Sequence, residues 1–163
     1  MREFSNLMTR QVNENENRGR KVINTLFTQL KETDKNFNWG FTKGQYDIFD
    51  GYTKRSIFDV KYRDFVNKYT GKMYDTIYLS AHKVDEMNKI ATKNNVNSLY
   101  LMVDKRNDNI LVADLKECNN WKRSNEWMQT NNLTHEKGWV DVYSIPKEAF
   151  KIYIKGNDGK YNI

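Results

Sequence analysis

Residues 98–104 read SLYLMVD, with polar side chains only at the two ends. A run this short, without the alternation of a half-exposed strand, is the pattern of a strand covered on both faces. Such a strand cannot exist alone. It calls for a layered domain in which helices or a second sheet pack on either side. The stretch KRND at 105–108 reads as a turn, and NILVADL at 109–115 as the returning strand. Upstream, Val22, Ile23, Leu26, Phe27 and Leu30 recur at helical spacing and place an amphipathic helix over residues 16–35. Lys31 and Lys35 suit its C-terminal end. A second helix is expected over 81–94, with Ser80 as N-cap and Val84, Met87, Ala91 and Ile90 on its inward side.

Between the two helices, residues 37–41 read as an extended aromatic segment, and QYDIFDGY (45–52) and SIFDVKYR (56–63) as two strands of an antiparallel hairpin. Thr70, Gly71 and Lys72 mark a loop. Residues 116–137 carry two tryptophans and show no clear period. GWVDVYSI (138–145) and AFKIYIK (149–155) read as final strands around Pro146. The expectation is an α/β domain with a mixed central sheet flanked by helices.

Composition limits the alternatives. The 163 residues suit one domain, taken as 16–163 behind a loosely held arm over 1–15. Aromatics at 13% argue against a disordered chain. A single cysteine, Cys118, excludes an internal disulfide framework and a Cys-rich zinc site. His82 and His135 form no zinc motif, and no Gly-rich nucleotide loop is present. No apolar run reaches the roughly 18 residues of a membrane span, and the first residues lack an apolar signal core, so a soluble cytoplasmic protein is expected, with no membrane partner. A net charge of +6 suits a phosphate-bearing partner. Basic residues Arg18, Arg20, Lys21, Lys54, Arg55, Arg63, Lys68 and Lys72 interleave with Tyr52, Tyr62, Tyr69 and Tyr74.

The chemistry concentrates on the hairpin. Asp59 and Lys61 are two apart on a strand and so share a face, while Phe58, Val60 and Tyr62 take the other. Asp47 lies twelve positions before Asp59; a loop with an odd number of residues would set it across from Asp59 or Lys61. Carboxylates converging on one point repel, and a divalent cation relieves the repulsion. Oxygen ligands with open positions suit Mg²⁺ or Mn²⁺, which can also hold phosphate oxygens and water. An ammonium alongside can orient the water or stabilise charge on phosphorus.

These residues resemble the PD-(D/E)xK nuclease superfamily, which includes restriction endonucleases, phage exonucleases and Holliday-junction resolvases. The resemblance rests on an acid on one strand, here Asp47 or Asp50, followed by Asp59-Val60-Lys61 on the next. Tyr46 stands where the family often has Pro, and Asp59 where Glu is commoner. Asp47 is preferred because apolar Ile48 and Phe49 follow it. The resemblance implies a restriction endonuclease-like core of helix, three antiparallel strands, helix and strand over residues 16–104. It implies a Mg²⁺ (or Mn²⁺) held by Asp47, Asp59 and the Val60 carbonyl, with Lys61 beside the attacking water. Glu16, or failing it Glu14, would be the first-helix acid, and Lys83, beside His82, the basic residue of the second helix. DNA would be the partner, contacted by Arg20, Lys54, Arg63 and Lys83, and resolvases of this type imply a two-fold homodimer. The expected activity is a metal-dependent deoxyribonuclease, structure-selective for junction, recombination or repair intermediates, in a bacterial or phage-infected cell. The alternative is a non-catalytic module that binds nucleic acid or protein on a decayed nuclease core. In that case Asp59 and Lys61 are an ordinary charge pair on an exposed strand face. Cys118, with no histidine near it in a recognisable nucleophile context, reads as a plain free thiol.

Overall fold

The computed structural model describes residues 2–42, 48–129 and 136–163, with side chains of the first helix from residue 14 onward. Helix α1 (Arg2–Thr33) leads into β1 (Trp39–Phe41), β2 (Gly51–Thr53) and β3 (Ser56–Arg63). Then come β4 (Thr76–Ser80), α2 (Ala81–Lys93), β5 (Asn97–Asp104) and β6 (Ile110–Asp114). A 3-10 turn (Leu115–Asn120) leads to β7 (Lys122–Gln129) and β8 (Lys137–Pro146), and a second one (Lys147–Ala149) to β9 (Lys151–Tyr153).

Six strands form a sheet in the order β1-β2-β3-β5-β6-β9. Only the β3–β5 pair is parallel, with Asp59 beside Tyr100 and Lys61 beside Met102, so the sheet is mixed. Strands β4, β8 and β7 form a second, antiparallel sheet. The mixed α/β architecture expected from the sequence is therefore present: a helix, the antiparallel strands β1–β3 of the main sheet, then β4 of the second sheet, the second helix and β5. No helix among the described residues is long and apolar enough to cross a membrane.

The run at 98–104 behaves as its composition demands. Leu101 and Val103 join Phe58, Val60 and Ile110 under Ile23, Leu26 and Phe27 of α1. Tyr100 and Met102 join Ile57 and Leu111 on the opposite face, under Val84, Met87 and Ala91 of α2 and Ile77, Leu79 and Ile145 of the small sheet. Each fully buried large side chain here is worth roughly 1.5–3 kcal/mol of transfer free energy, so β3 and β5 form the rigid centre. The ring of Phe58 meets those of Phe27 and Phe41 edge-on at 5.4 and 5.9 Å. At the far end of the chain, Gln29 of α1 brackets Tyr161, accepting from its backbone N–H at 2.7 Å and donating to its carbonyl at 2.6 Å.

Several elements differ from the sequence reading. Helix α1 starts at Arg2, so helical backbone runs through 2–15, where an arm is expected; once packing fixes Ile23, Leu26 and Phe27, each further turn adds one hydrogen bond per residue. The strand expected over 45–52 is formed only from Gly51, with bends at 48–50, and residues 43–47 lie outside the described ones. Strand β4 shows only buried Ile77 and Leu79 between exposed neighbours, a pattern too short to stand out in the sequence. Ser80 does occupy the N-cap of α2 but makes no side-chain capping bond. In the 116–137 stretch, β7 alternates exposed and half-exposed positions without one buried residue, so no apolar period marks it.

Close packing beside the hairpin depends on Gly51. A Cβ at that position would sit 2.6 Å from Phe58 Cε2 and 2.7 Å from the Gly40 carbonyl oxygen. Gly51→Ala is expected to cost about 1–3 kcal/mol through this overpacking, measured by urea unfolding monitored on the tryptophans. A variant as stable as the wild type would show that the β1–β2–β3 packing is looser than described.

Candidate active site

Strand β3 runs through the protein's centre and carries an acid halfway along it. Asp59 is only 2% exposed. Its carboxylate faces the α2 side, where Lys83 in the first turn of that helix donates from Nζ to Oδ2 at 2.8 Å. A lysine there meets the positive end of the helix dipole, so the pairing with Asp59 offsets an otherwise unfavourable placement. Lys61, two residues on, shares the face but stands in solvent. The expected alternation therefore holds: Asp59 and Lys61 to one side, Phe58 and Val60 packed under α1 on the other.

Asp50 sits against the same stretch of β3. One step beyond the last ladder pair, Gly51 with Phe58, its backbone N–H donates to the Phe58 carbonyl at 2.9 Å. Its Oδ2 accepts the Val60 N–H at 2.7 Å. Asp50 is thus tied to the residues on both sides of Asp59. Only Lys54 and Arg55 separate β2 from β3, so the hairpin has a two-residue turn and not the odd-numbered loop that would bring Asp47 across. Asp47 itself lies outside the described residues.

On its outer side Asp50 is held by Arg20 of α1. The guanidinium lies 3.4 Å from Asp50 Oδ1 and 3.2 Å from Glu16 Oε1, donates to the Thr42 carbonyl at 3.0 Å, and stacks over the Phe41 ring. Helix α1 can come this close because Gly19 has no side chain: a Cβ there would lie 3.1 Å from Val60 Cγ1. Glu16 accordingly reaches the site through Arg20, and Arg20 is engaged inside the protein, not spread on its surface.

Burial raises the Asp59 carboxyl to a pKa of about 6; the Asp50 charge adds to the rise, and Lys83 and Lys61 act against it. Desolvation outweighs the two ammonium groups, so the acid is charged only at a free-energy cost.

Next to the Asp59–Lys83 pair opens a cleft of about 620 Å³, lined among others by Lys61, Arg63, His82, Lys83, Tyr78 and Tyr100; Asp59 is buried and meets it through Lys83. Three cations at its wall make it a place for phosphate oxygens. Lys54 stands elsewhere, at the opposite end of β3 in a groove with Asp34, Asn36 and Asn97. Of the residues singled out in the sequence, the structure therefore gathers Lys61, Arg63 and Lys83 around one cleft, with Asp59 buried against Lys83. Glu16 and Arg20 join them through Asp50, and Lys54 stays apart. The inward engagement of Arg20 carries no sequence signal, because an arginine on a helix next to an exposed glutamate looks the same when solvated.

The donors available to a cation are hard oxygens: the carboxylate of Asp59 on β3 and that of Asp50, which is held to the same strand by the Val60 N–H and whose charge acts on Asp59. Among the described residues no group of three Asp, Glu, His or Cys side chains is placed to hold a metal by itself. An ion here would take two carboxylates from these residues and the rest of its shell from water and phosphate, which is the ligation Mg²⁺ favours.

No protein-family model matches the chain, and no curated protein matches it. It is similar to an archaeal Holliday junction resolvase. That structure is Hjc of the hyperthermophile Archaeoglobus fulgidus, at 13% sequence identity and a TM-score of 0.46, over 81% of this chain and 86% of that one.

The raised carboxyl makes a stability prediction. The folded protein binds a proton at Asp59 more readily than the unfolded chain, so this group lowers stability as pH rises from about 4 through 6, and the loss is complete above that. Asp59→Asn in EDTA should melt higher than wild type at pH 7.5, by up to about 3 kcal/mol, with the gap closing near pH 4. Lys83, a quarter exposed, can turn to water in the variant. Calorimetric melting curves that run parallel from pH 4 to 8 would contradict the assignment.

Proposed function

We propose that the protein is a metal-dependent deoxyribonuclease that hydrolyses DNA phosphodiester bonds and acts by substrate structure, not sequence. The observation that carries this reading is the buried Asp59 on β3, set against the charge of Asp50 and paired with Lys83, which lines a basic cleft together with Lys61 and Arg63. An acid in that position is costly to fold around, and its neighbours are those that phosphodiester hydrolysis requires. Asp59 and Asp50 would hold Mg²⁺ or Mn²⁺ with the Val60 carbonyl; Asp47 remains the other candidate for the first acid.

When bound there, a divalent ion would supply polarisation of a phosphoryl oxygen and acidify a bound water. The rest falls to the chain. Lys61, exposed beside Asp59, binds the scissile phosphate and steadies the charge that grows on it in the transition state. Arg63 and Lys83 hold phosphate oxygens along the cleft wall, fixing the backbone in line for attack. The Val60 N–H fixes the Asp50 carboxylate, and Arg20, backed by Glu16, limits the repulsion between Asp50 and Asp59.

The rival reading is a DNA- or protein-binding domain that does not cut. It is favoured by the engagement of both carboxylates within the protein, with Lys83 on one and Arg20 and the Val60 N–H on the other. One experiment decides. Supercoiled plasmid, single-stranded DNA and a four-way junction are incubated with wild type, Asp59→Asn, Lys61→Ala, Asp50→Asn and Asp47→Asn, with Mg²⁺, Mn²⁺ or EDTA. Cleavage should need the metal and fall about 100-fold or more in Asp59→Asn and Lys61→Ala. The larger loss between Asp50→Asn and Asp47→Asn identifies the second acid, and we expect it at Asp50. Cutting that persists in EDTA or survives Asp59→Asn would refute the proposal, and binding without cutting under every condition would establish the rival.

A further inference from the structure

The chain leaves the catalytic strand through a small protruding hairpin. Residues 64–75 connect β3 to β4. Phe65 is buried and anchors the base, where Tyr74 N–H donates to the Phe65 carbonyl at 3.0 Å. Val66 bridges Met73. Asn67 then organises the tip: its N–H reaches the Lys72 carbonyl at 2.9 Å, its carbonyl takes the Gly71 N–H at 2.8 Å, and its side chain accepts from Tyr69 N–H at 2.8 Å. Gly71 has φ +67°, which a glycine adopts without strain. The tip is thus held in one shape by its own backbone bonds.

On that tip Tyr69 is 85% exposed, between exposed Lys68 and Lys72, with Lys68 Nζ 5.1 Å from the centre of its ring. A lone exposed ring needs no explanation. This one stands on an ordered turn, between two cations, on the chain segment that continues from Asp59, Lys61 and Arg63. Five residues lie between Arg63 and Tyr69, so their Cα atoms are at most roughly 22 Å apart. Asp64 and Asp75 flank the base of the hairpin, and Asp75 is paired with Lys147 at 3.3 Å.

We propose that this hairpin is a DNA-engaging element in which Tyr69 stacks on an unpaired base while Lys68 and Lys72 bind the adjoining phosphates. The proposal rests on the nuclease reading and names the substrate class of that site. A base inside an intact duplex is covered on both faces by its neighbours. A free π-face is offered by single strands, forks and branches, so the tip selects DNA in which pairing is interrupted. The cleft wall carries Lys83, Lys61 and Arg63, and the tip, beyond Asp64 and Asp75 at its base, adds Lys68 and Lys72.

The test measures binding in EDTA, so that cutting plays no part. Anisotropy is recorded with a labelled single-stranded oligonucleotide and a labelled forked duplex, and relaxed closed-circular plasmid, which has no ends, serves as competitor. Tyr69→Ala should weaken binding to the single strand and the fork by about fivefold to a hundredfold, while the plasmid competes as it does against wild type. Tyr69→Phe should bind like wild type, because the ring stacks without its hydroxyl. The double variant Lys68→Gln/Lys72→Gln should lower the slope of log affinity against log salt on single strands by about 1.4. Tyr69→Ala binding as tightly as wild type, weakening the plasmid equally, or being matched by Tyr69→Phe would each overturn the proposal, as would an unchanged salt slope. Wild type that binds no DNA would overturn it together with the nuclease reading; wild type that cuts DNA while Tyr69→Ala binds normally would overturn the hairpin's role alone.

Discussion

Among the ion pairs of the described residues, that between Asp59 and Lys83 has the most deeply buried acid, and it constrains the centre of the sheet. Strand β3 is hydrogen-bonded on both sides and covered on both faces, which is the least favourable place for a carboxylate. Burial there raises the acid despite two nearby lysines. A well-packed apolar side chain at the same position would be neutral or stabilising. Stability therefore gives no reason for an acid at residue 59, whereas a site that must present a carboxylate on an immovable support does. Lys83 acts on the same balance from α2: it makes the charged acid tolerable, and it ties the helix to the strand across the layer boundary.

A second set of contacts works from the opposite layer. Helix α1 covers the Phe58–Val60 face and takes no direct part in the cleft. It still acts on the acids, because Gly19 lets it approach β3 and Arg20 then reaches over the sheet to Asp50. One guanidinium gathers Glu16, Asp50 and the Thr42 carbonyl, so the helix, the loop after β1 and the start of β2 meet at one cation. A fork-shaped donor suits this task, since it serves several oxygens from one rigid group. Asp50 is then held from both ends, by Arg20 outside and by the Val60 N–H inside. The hairpin turn itself need not be stiff for the acid to stay in place.

Much of this was legible in the sequence where periodicity speaks. The 98–104 run, the inward positions of α1 and α2, and strand β3 from Ser56 to Arg63 follow from side-chain pattern alone, because burial on defined faces leaves its mark at each position. The shared face of Asp59 and Lys61 followed from the same geometry. Register did not. Whether Asp47 or Asp50 lies nearer Asp59 depends on a two-residue turn and on bends at 48–50, and neither changes the hydrophobic pattern. Ile48 and Phe49 read as a strand core, yet both are half-buried residues of a bend packed against the α2-side core; Asp47 itself lies outside the described residues. The pairing of Lys83 with Asp59 is a contact 24 residues apart, and the turn of Arg20 toward Asp50 one of 30; no local signal records either. Strands β4 and β7 escaped for a different reason, since a short or two-sided polar strand has no apolar face to show.

The late part of the chain, in which the sequence shows β8 but not β7, explains how the early part is held. Strand β4 ends where α2 begins, so whatever fixes β4 fixes the first turn of the helix and with it Lys83. That support is β8: Ile77 pairs with Ile145, Leu79 with Tyr143, and Ser80 with Val142. Ser80 gives no side-chain cap to hold the helix start by itself, which leaves the strand pairing to set it. At the second turn of the same helix, Asp85 accepts from the Tyr143 hydroxyl at 3.1 Å and meets Arg123 of β7 at 3.4 Å. The small sheet thus grips α2 at two successive turns, with Lys83 between them. A lysine side chain is long and entropically costly to fix. Placing its backbone between two anchors confines its ammonium to the neighbourhood of Asp59 without burying it, and so leaves it facing a cleft that a phosphate can enter.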